Sequence, residues 1–147
     1  MKINILLVFL IMFSIFKSPL ANENPSLYDF SFIDIDGNQV NLKKFTGKPI
    51  LVVNTASRCG FTPQYENLQN LFLEYKDTDL TIIATTSNSF AQEYQDTEDI
   101  KKICLVNYGV GFVTSSPMDV KGNNAHPIYH WMHLPFFSFY NYLQQLV

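Results

Sequence analysis

The stretch Ile50-Leu-Val-Val-Asn-Thr-Ala-Ser-Arg-Cys59-Gly-Phe-Thr-Pro-Gln-Tyr65 constrains this chain more than any other segment. Its apolar, β-branched start reads as a buried strand, and a short loop then leads into a helix. Thr62 and Pro63 read as the N-cap and the first helical residue. Tyr65, Leu68, Leu71, Phe72 and Tyr75 follow at helical spacing. Cys59 is therefore expected just upstream of a helix N-terminus. The free N–H groups and partial positive charge of such an end, with Arg58 beside it, favour a thiolate, which is the nucleophilic form of cysteine.

The surrounding segments supply a layered α/β framework. Tyr28 to Ile35 alternates apolar and polar residues, Asp36-Gly37-Asn38 makes a turn, and Gln39 to Leu42 returns, a hairpin signal. Leu42 to Phe45 is expected to form one helical turn. Leu80 to Thr85 is a second β-branched run, so strand, helix and strand imply a parallel pair. Ser87 to Gln95 is polar and loop-like. Thr97 to Val106 opens with a cap and an acidic first turn, and Ser116 to Val120 is the third strand candidate. At 147 residues, 47% hydrophobic and 16% charged, the chain has material for one core and one domain.

The run Asn54-Thr-Ala-Ser-Arg-Cys59-Gly-Phe-Thr-Pro-Gln-Tyr65 resembles the active-site signature of the glutathione peroxidase family in its cysteine form. Leu27-Tyr-Asp-Phe-Ser-Phe32, Asp36-Gly-Asn38, Asn107-Tyr-Gly-Val110, Asp119-Val120 and Asn124-Ala-His-Pro127 follow the family's order, so the resemblance covers Ser26 to Met132. It implies a thioredoxin-like fold, a central mixed sheet flanked by helices. It also implies reduction of hydrogen peroxide or organic hydroperoxides in response to oxidative stress, with Cys59 as the peroxidatic residue. No bound cofactor is implied, only an external thiol reductant, either glutathione or a thioredoxin-like dithiol.

Two further residues follow from the resemblance. Thr86-Ser-Asn-Ser-Phe-Ala-Gln92-Glu93 is similar to the family loop whose glutamine helps to polarise the peroxide, which assigns that role to Gln92. In that loop Ala91 stands where the family has a glycine pair, and Tyr94 replaces a proline. Cys104 sits where two-cysteine members carry a resolving thiol, and such a thiol points to a dithiol reductant. The bland alternatives are a small buried hydrophobe at Cys104 and an ordinary loop glutamine at Gln92. Cys59 and Cys104 are the chain's two cysteines, and Thr62 in the third position after Cys59 excludes a C-x-x-C pair.

Other parts depart from the family. Val113 replaces a proline, and the resemblance ends after Met132, before a Trp-Asn pair that completes the family's polar constellation. The last strand and helix of the fold are accordingly expected to be missing, leaving an exposed sheet edge, with 133–147 a divergent aromatic tail. A catalytically impaired redox sensor or binding protein, or an inert truncated member, is the alternative reading.

Met1-Lys2, the apolar run Ile3 to Phe16 and Lys17 to Ala21 read as a signal peptide over residues 1–21. The domain would then be 22–132 and the location periplasmic or extracellular, with an uncleaved N-terminal anchor as the variant. The apolar run is too short for a comfortable membrane span. A net charge of -3 and basic residues no denser than Lys43-Lys44 and Lys101-Lys102 exclude an electrostatic footprint for nucleic acid. His126, His130 and His133 share a helical face, but no carboxylate or cysteine completes a metal set, so none is assigned.

Overall fold

The computed structural model describes residues 25–133, so the expected signal peptide and the tail beyond His133 lie outside the described residues. The chain opens with a 3₁₀ turn, Leu27–Asp29, and a hairpin of β1 (Ser31–Ile33) and β2 (Gln39–Asn41). Phe32 pairs with Val40 across the hairpin and both are buried. The turn is closed by Asp34, whose Oδ1 accepts the N–H groups of Asp36 at 3.0 Å and Asn38 at 2.8 Å. Gly37 supplies the positive φ of 86° that the turn requires.

The expected helical turn is the 3₁₀ turn Leu42–Phe45, capped by Asn41 Oδ1 on the Lys43 N–H. Next come β3 (Ile50–Thr55), α1 (Gln64–Tyr75), β4 (Thr81–Thr86), α2 (Thr97–Lys101), a π-helical turn Lys102–Asn107, and β5 (Val113–Thr114). Residues 127–133 form the described part of α3. The parallel pairing inferred from strand, helix and strand holds from Ile50 opposite Thr81 to Thr55 opposite Thr86. β5 is parallel to β4 on its other side, and a bridge between Asp34 and Ser115 ties the hairpin to this sheet.

Side chains of β4 alternate between two cores, as period-two geometry demands. Ile82 and Ala84 join Tyr65, Ile100, Cys104, Val110 and Phe112 beneath α1 and α2. Ile83 joins Phe32, Val40, Leu42 and Ile128 on the opposite face. Thus the helices α1 and α2 cover one face, and the hairpin and α3 cover the other.

Three local expectations need correction. The third strand is Val113–Thr114 rather than Ser116 to Val120: Pro117 lacks an N–H for a ladder, while β-branched Val113 fits opposite Ile83. α2 is capped by Asp96, whose Oδ1 accepts the Glu98 N–H at 2.9 Å, which makes Thr97 the first helical residue. Residues Ile50 to Val53 of β3 are half-buried rather than buried, because among the described residues β3 pairs with β4 alone. No described helix is long and apolar enough to cross a membrane.

Candidate active site

Between β3 and α1 the backbone makes overlapping turns. The N–H of Thr62 donates to Cys59 O at 3.0 Å, that of Gln64 to Phe61 O at 2.8 Å, and that of Tyr65 to Thr62 O at 3.1 Å. The helix then starts at Gln64, with Pro63 at the cap position and already in a helical conformation. Thr62 is therefore not the N-cap. Its hydroxyl turns back onto the cysteine turn, accepting the Cys59 N–H at 3.0 Å and lying 2.7 Å from Cys59 O and 3.0 Å from Ala56 O. A three-point tie of this kind fixes Cys59 relative to both β3 and α1.

Cys59 is half-buried, and its Sγ accepts the Phe61 N–H at 3.4 Å. It lines a cavity of about 250 Å³ together with Asn54, Thr55, Phe61, Gln64 and Tyr65. Phe61 stands at the rim with 72% of its surface exposed. Thr55 and Tyr65 are buried, and neither hydroxyl has a hydrogen-bond partner among the described residues. Burial pushes the Tyr65 phenol well above its ordinary range. Both residues line the cavity that Cys59 lines, with their hydroxyl oxygens shut off from solvent, and the Thr55 hydroxyl opposes the effect of burial on the phenol.

Gln92 reaches this loop through its backbone: its carbonyl accepts the Arg58 N–H at 2.8 Å. The Gln92 side chain is exposed and makes no hydrogen bond among the described residues. Arg58 lies over the Tyr94 ring, 5.4 Å from its centroid, at the position where the resemblance has a proline. Between them sits a residue that sequence reasoning passed over. Glu93 is buried, and its two carboxylate oxygens each accept the Ser57 N–H at 3.1 Å, while Oε1 also accepts the Tyr94 N–H at 2.9 Å. Its own N–H donates to Asn88 Oδ1 at 3.1 Å. Glu93 ends the loop run that resembles the family, but an acidic residue in a polar loop carries no signal of burial, so no role was read for it.

Cys104 lies on the π-helical turn and is fully buried among Tyr65, Ile100 and Val110. Both cysteines are free thiols. Burial pushes the Cys104 thiol up, and the negative charges of Glu93 and Asp36 add to that. Tyr65 belongs to both environments, lining the Cys59 cavity and packing in the core that holds Cys104. Among the described residues no group of three or more His, Cys, Asp or Glu is arranged to hold a metal. His126 instead has its N–H on Asp119 O at 2.7 Å and its Nδ1 accepting from Ile128 N–H at 3.3 Å.

A cysteine poised between a strand and a helix, in this sequence context, matches a described family: residues 27–133 fit glutathione peroxidase. The chain belongs to the glutathione peroxidase family. It is 42% identical over 108 residues to the glutathione peroxidase of Lactococcus lactis subsp. cremoris, covering 73% of this chain and 69% of that one. It is also 42% identical over 113 residues to the hydroperoxy fatty acid reductase gpx1 of Synechocystis sp., covering 76% and 67%. The crystal structure of Trgpx in apo form superposes with a TM-score of 0.57 at 33% identity, covering 75% of this chain and 65% of that one. This glutathione peroxidase family chain therefore has the thioredoxin-like α/β fold, and spans about two thirds of the length of these relatives. Enzymes of the family use thiol reductants rather than a prosthetic group.

Proposed function

We propose that this chain is a thiol peroxidase that reduces hydroperoxides through Cys59, with Gln92 and Cys104 as the assisting residues. The observation that carries the reading is the placement of Cys59: half-buried, its Sγ approached by the Phe61 N–H, and lining a cavity between β3 and α1. The Cys59 thiolate attacks one peroxide oxygen, the O–O bond breaks, and the departing oxygen takes a proton to leave as water or alcohol. Cys59 is left as a sulfenic acid. Donors fixed before the reaction stabilise the charges that take part in it, and the Phe61 N–H held at the sulfur is one such donor.

Condensation with the Cys104 thiol would release water and form a disulfide, which an external dithiol returns to two thiols. This step requires Cys104 to leave the core, and the π-helical turn that carries it also exposes Leu105 and Val106. Glutathione is the alternative reductant, acting directly on the sulfenic acid. The Synechocystis relative's name, hydroperoxy fatty acid reductase, supports organic hydroperoxides as substrates, and the proposed setting is defence against oxidative stress. Export through residues 1–21 is part of the same proposal, and N-terminal sequencing of the mature protein tests it. The exposed Gln92 side chain favours the second reading, a redox sensor with slow turnover.

Stopped-flow oxidation by hydrogen peroxide and cumene hydroperoxide decides between them, with products mapped by mass spectrometry in wild type, Cys59→Ser and Cys104→Ser. Loss of the Cys59 thiol far faster than a free cysteine, followed by a Cys59–Cys104 disulfide, is the expected result. Oxidation at the rate of an ordinary thiol would leave the sensor reading.

A further inference from the structure

Glu93 presents an energetic problem that neither the fold nor the proposed cycle uses. A carboxylate removed from water is costly unless it is paired, and none of the salt bridges among the described residues involves it. Its compensation comes from backbone N–H groups alone, those of Ser57 and Tyr94. Ser57 is two residues before Cys59 and 36 positions from Glu93, so the bond joins two loops that β3 and β4 hold side by side. The Arg58 N–H on Gln92 O is the second tie between the same loops. The long-range partner of the Glu93 carboxylate, Ser57, therefore lies on the approach to Cys59.

Resting on the peroxidase reading, we propose that Glu93 is the positioning residue for the Cys59 thiol: its buried carboxylate clamps the Ser57 N–H and so fixes the loop that aims Sγ into the cavity beside Thr55 and Tyr65. Gln92 then contributes to the same clamp through its carbonyl. The carboxylate suits this task because its two oxygens accept the Ser57 N–H while one also takes the Tyr94 N–H. An amide in its place would turn an NH₂ group towards one of these donors. The charge of Glu93 also reaches the core thiol. Around Cys104 the titratable groups are Glu93, Asp36, Tyr65, Tyr94 and Tyr108, with Lys101 paired to Asp36 and Glu98.

The test uses the full chain as wild type, Glu93→Gln and Glu93→Asp. Three quantities are read: amide hydrogen exchange at Ser57, the rates of Cys59 oxidation by hydrogen peroxide and alkylation by iodoacetamide, and the ¹³Cβ titration of Cys104. Glu93→Gln is expected to speed Ser57 exchange about tenfold or more and to slow peroxide oxidation by a similar factor. Alkylation, which needs no aligned O–O bond, should stay within about twofold, and the Cys104 midpoint should fall as the charge is removed. Glu93→Asp keeps the charge, so it should leave the Cys104 midpoint in place with an intermediate oxidation rate; it also carries the test should the amide variant not fold. Unchanged Ser57 exchange and oxidation in Glu93→Gln would overturn the assignment. So would equal losses of oxidation and alkylation in step with a loss of folded protein. A wild-type chain oxidised no faster than a free thiol would instead defeat the peroxidase reading, and the positioning role would fall with it.

Discussion

The two cysteines of this chain occupy opposite kinds of environment, although both contact the surroundings of one tyrosine. Cys59 sits in a turn where the Thr62 hydroxyl accepts its backbone N–H, with its Sγ on a cavity and an N–H aimed at the sulfur. Cys104 is sealed in a core of aliphatic and aromatic side chains, where burial holds it as a thiol. On the proposed cycle, the first site is the one that attacks and the second the one that resolves. The turn at Cys59 is tied at three points by the Thr62 hydroxyl, whereas Cys104 rides on a π-helical turn, so the proposed disulfide would draw its motion from the Cys104 side. Such turns are uncommon, and many occur at functional sites.

The most severe way to break the comparison is Cys59→Ser. Peroxide consumption should fall to the level of the solvent reaction, whereas Cys104→Ser should leave the first oxidation intact and remove only the disulfide. Equal losses in the two variants would show that the thiols do not divide their roles. A subtler perturbation is Ile100→Ala, which deletes a fully buried side chain beside Cys104 and distant in sequence from Cys59. It should cost about 2–5 kcal/mol of stability, measured by urea unfolding. To the extent that this loosens the π-helical turn, disulfide formation should quicken while sulfenic acid formation does not change, and a loss of about 1.4 kcal/mol locally corresponds to a tenfold gain in opening. No acceleration would mean that opening of this turn does not limit the second step.

The pH dependence sharpens the same contrast. Burial raises the Cys104 thiol above its ordinary value of 9.0, so the folded chain holds that proton more tightly than the unfolded chain. Its contribution to stability is complete below the ordinary value and is lost as pH rises through the folded one. Tyr65 acts in the same direction at higher pH. Stability should therefore decline above pH 9.0, and Cys104→Ala should flatten the first part of that decline, read from urea midpoints across pH. A slope that Cys104→Ala leaves untouched would assign the decline to Tyr65 and other groups.

How much of this was legible in the sequence depended on how local each signal is. β3, α1 and β4 declare themselves through periodicity within their own residues, and the twelve-residue run around Cys59 carries the family. The true third strand was missed because Val113–Thr114 is too short to show a period and is selected by its register on Ile83 and Ala84. Thr62 has the chemistry of an N-cap, yet its hydroxyl goes to the preceding turn because the Cys59 and Ala56 backbone groups lie nearer. Glu93 was illegible for the opposite reason to Cys59. Its meaning comes entirely from a partner 36 positions away, and residue type alone argues for exposure. Gln92 was found through the resemblance, but only its carbonyl, which every residue has, meets the Cys59 loop.

The smallest expected effect lies at Ala91, where the resemblance places glycine. Its φ is 57°, in the left-handed region, and the residue is exposed, so its methyl group gains little from packing. Left-handed geometry costs a non-glycine residue roughly 1–2 kcal/mol. Glycine removes that cost but returns about 0.4–1 kcal/mol of entropy to the unfolded chain. Ala91→Gly should thus stabilise the fold by about 0.5–1 kcal/mol, visible as a higher urea midpoint at constant m-value. The turn it occupies, closed by the Ala91 N–H on Asn88 O at 2.9 Å, leads directly into Gln92 and Glu93. Since glycine adopts the same backbone angles without strain, the clamp on Ser57 should persist and peroxide oxidation of Cys59 should be unchanged. A gain in stability accompanied by slower oxidation would show that the strain at Ala91 helps to press Glu93 against the Cys59 loop, and would place the loop conformation itself among the determinants of thiol reactivity.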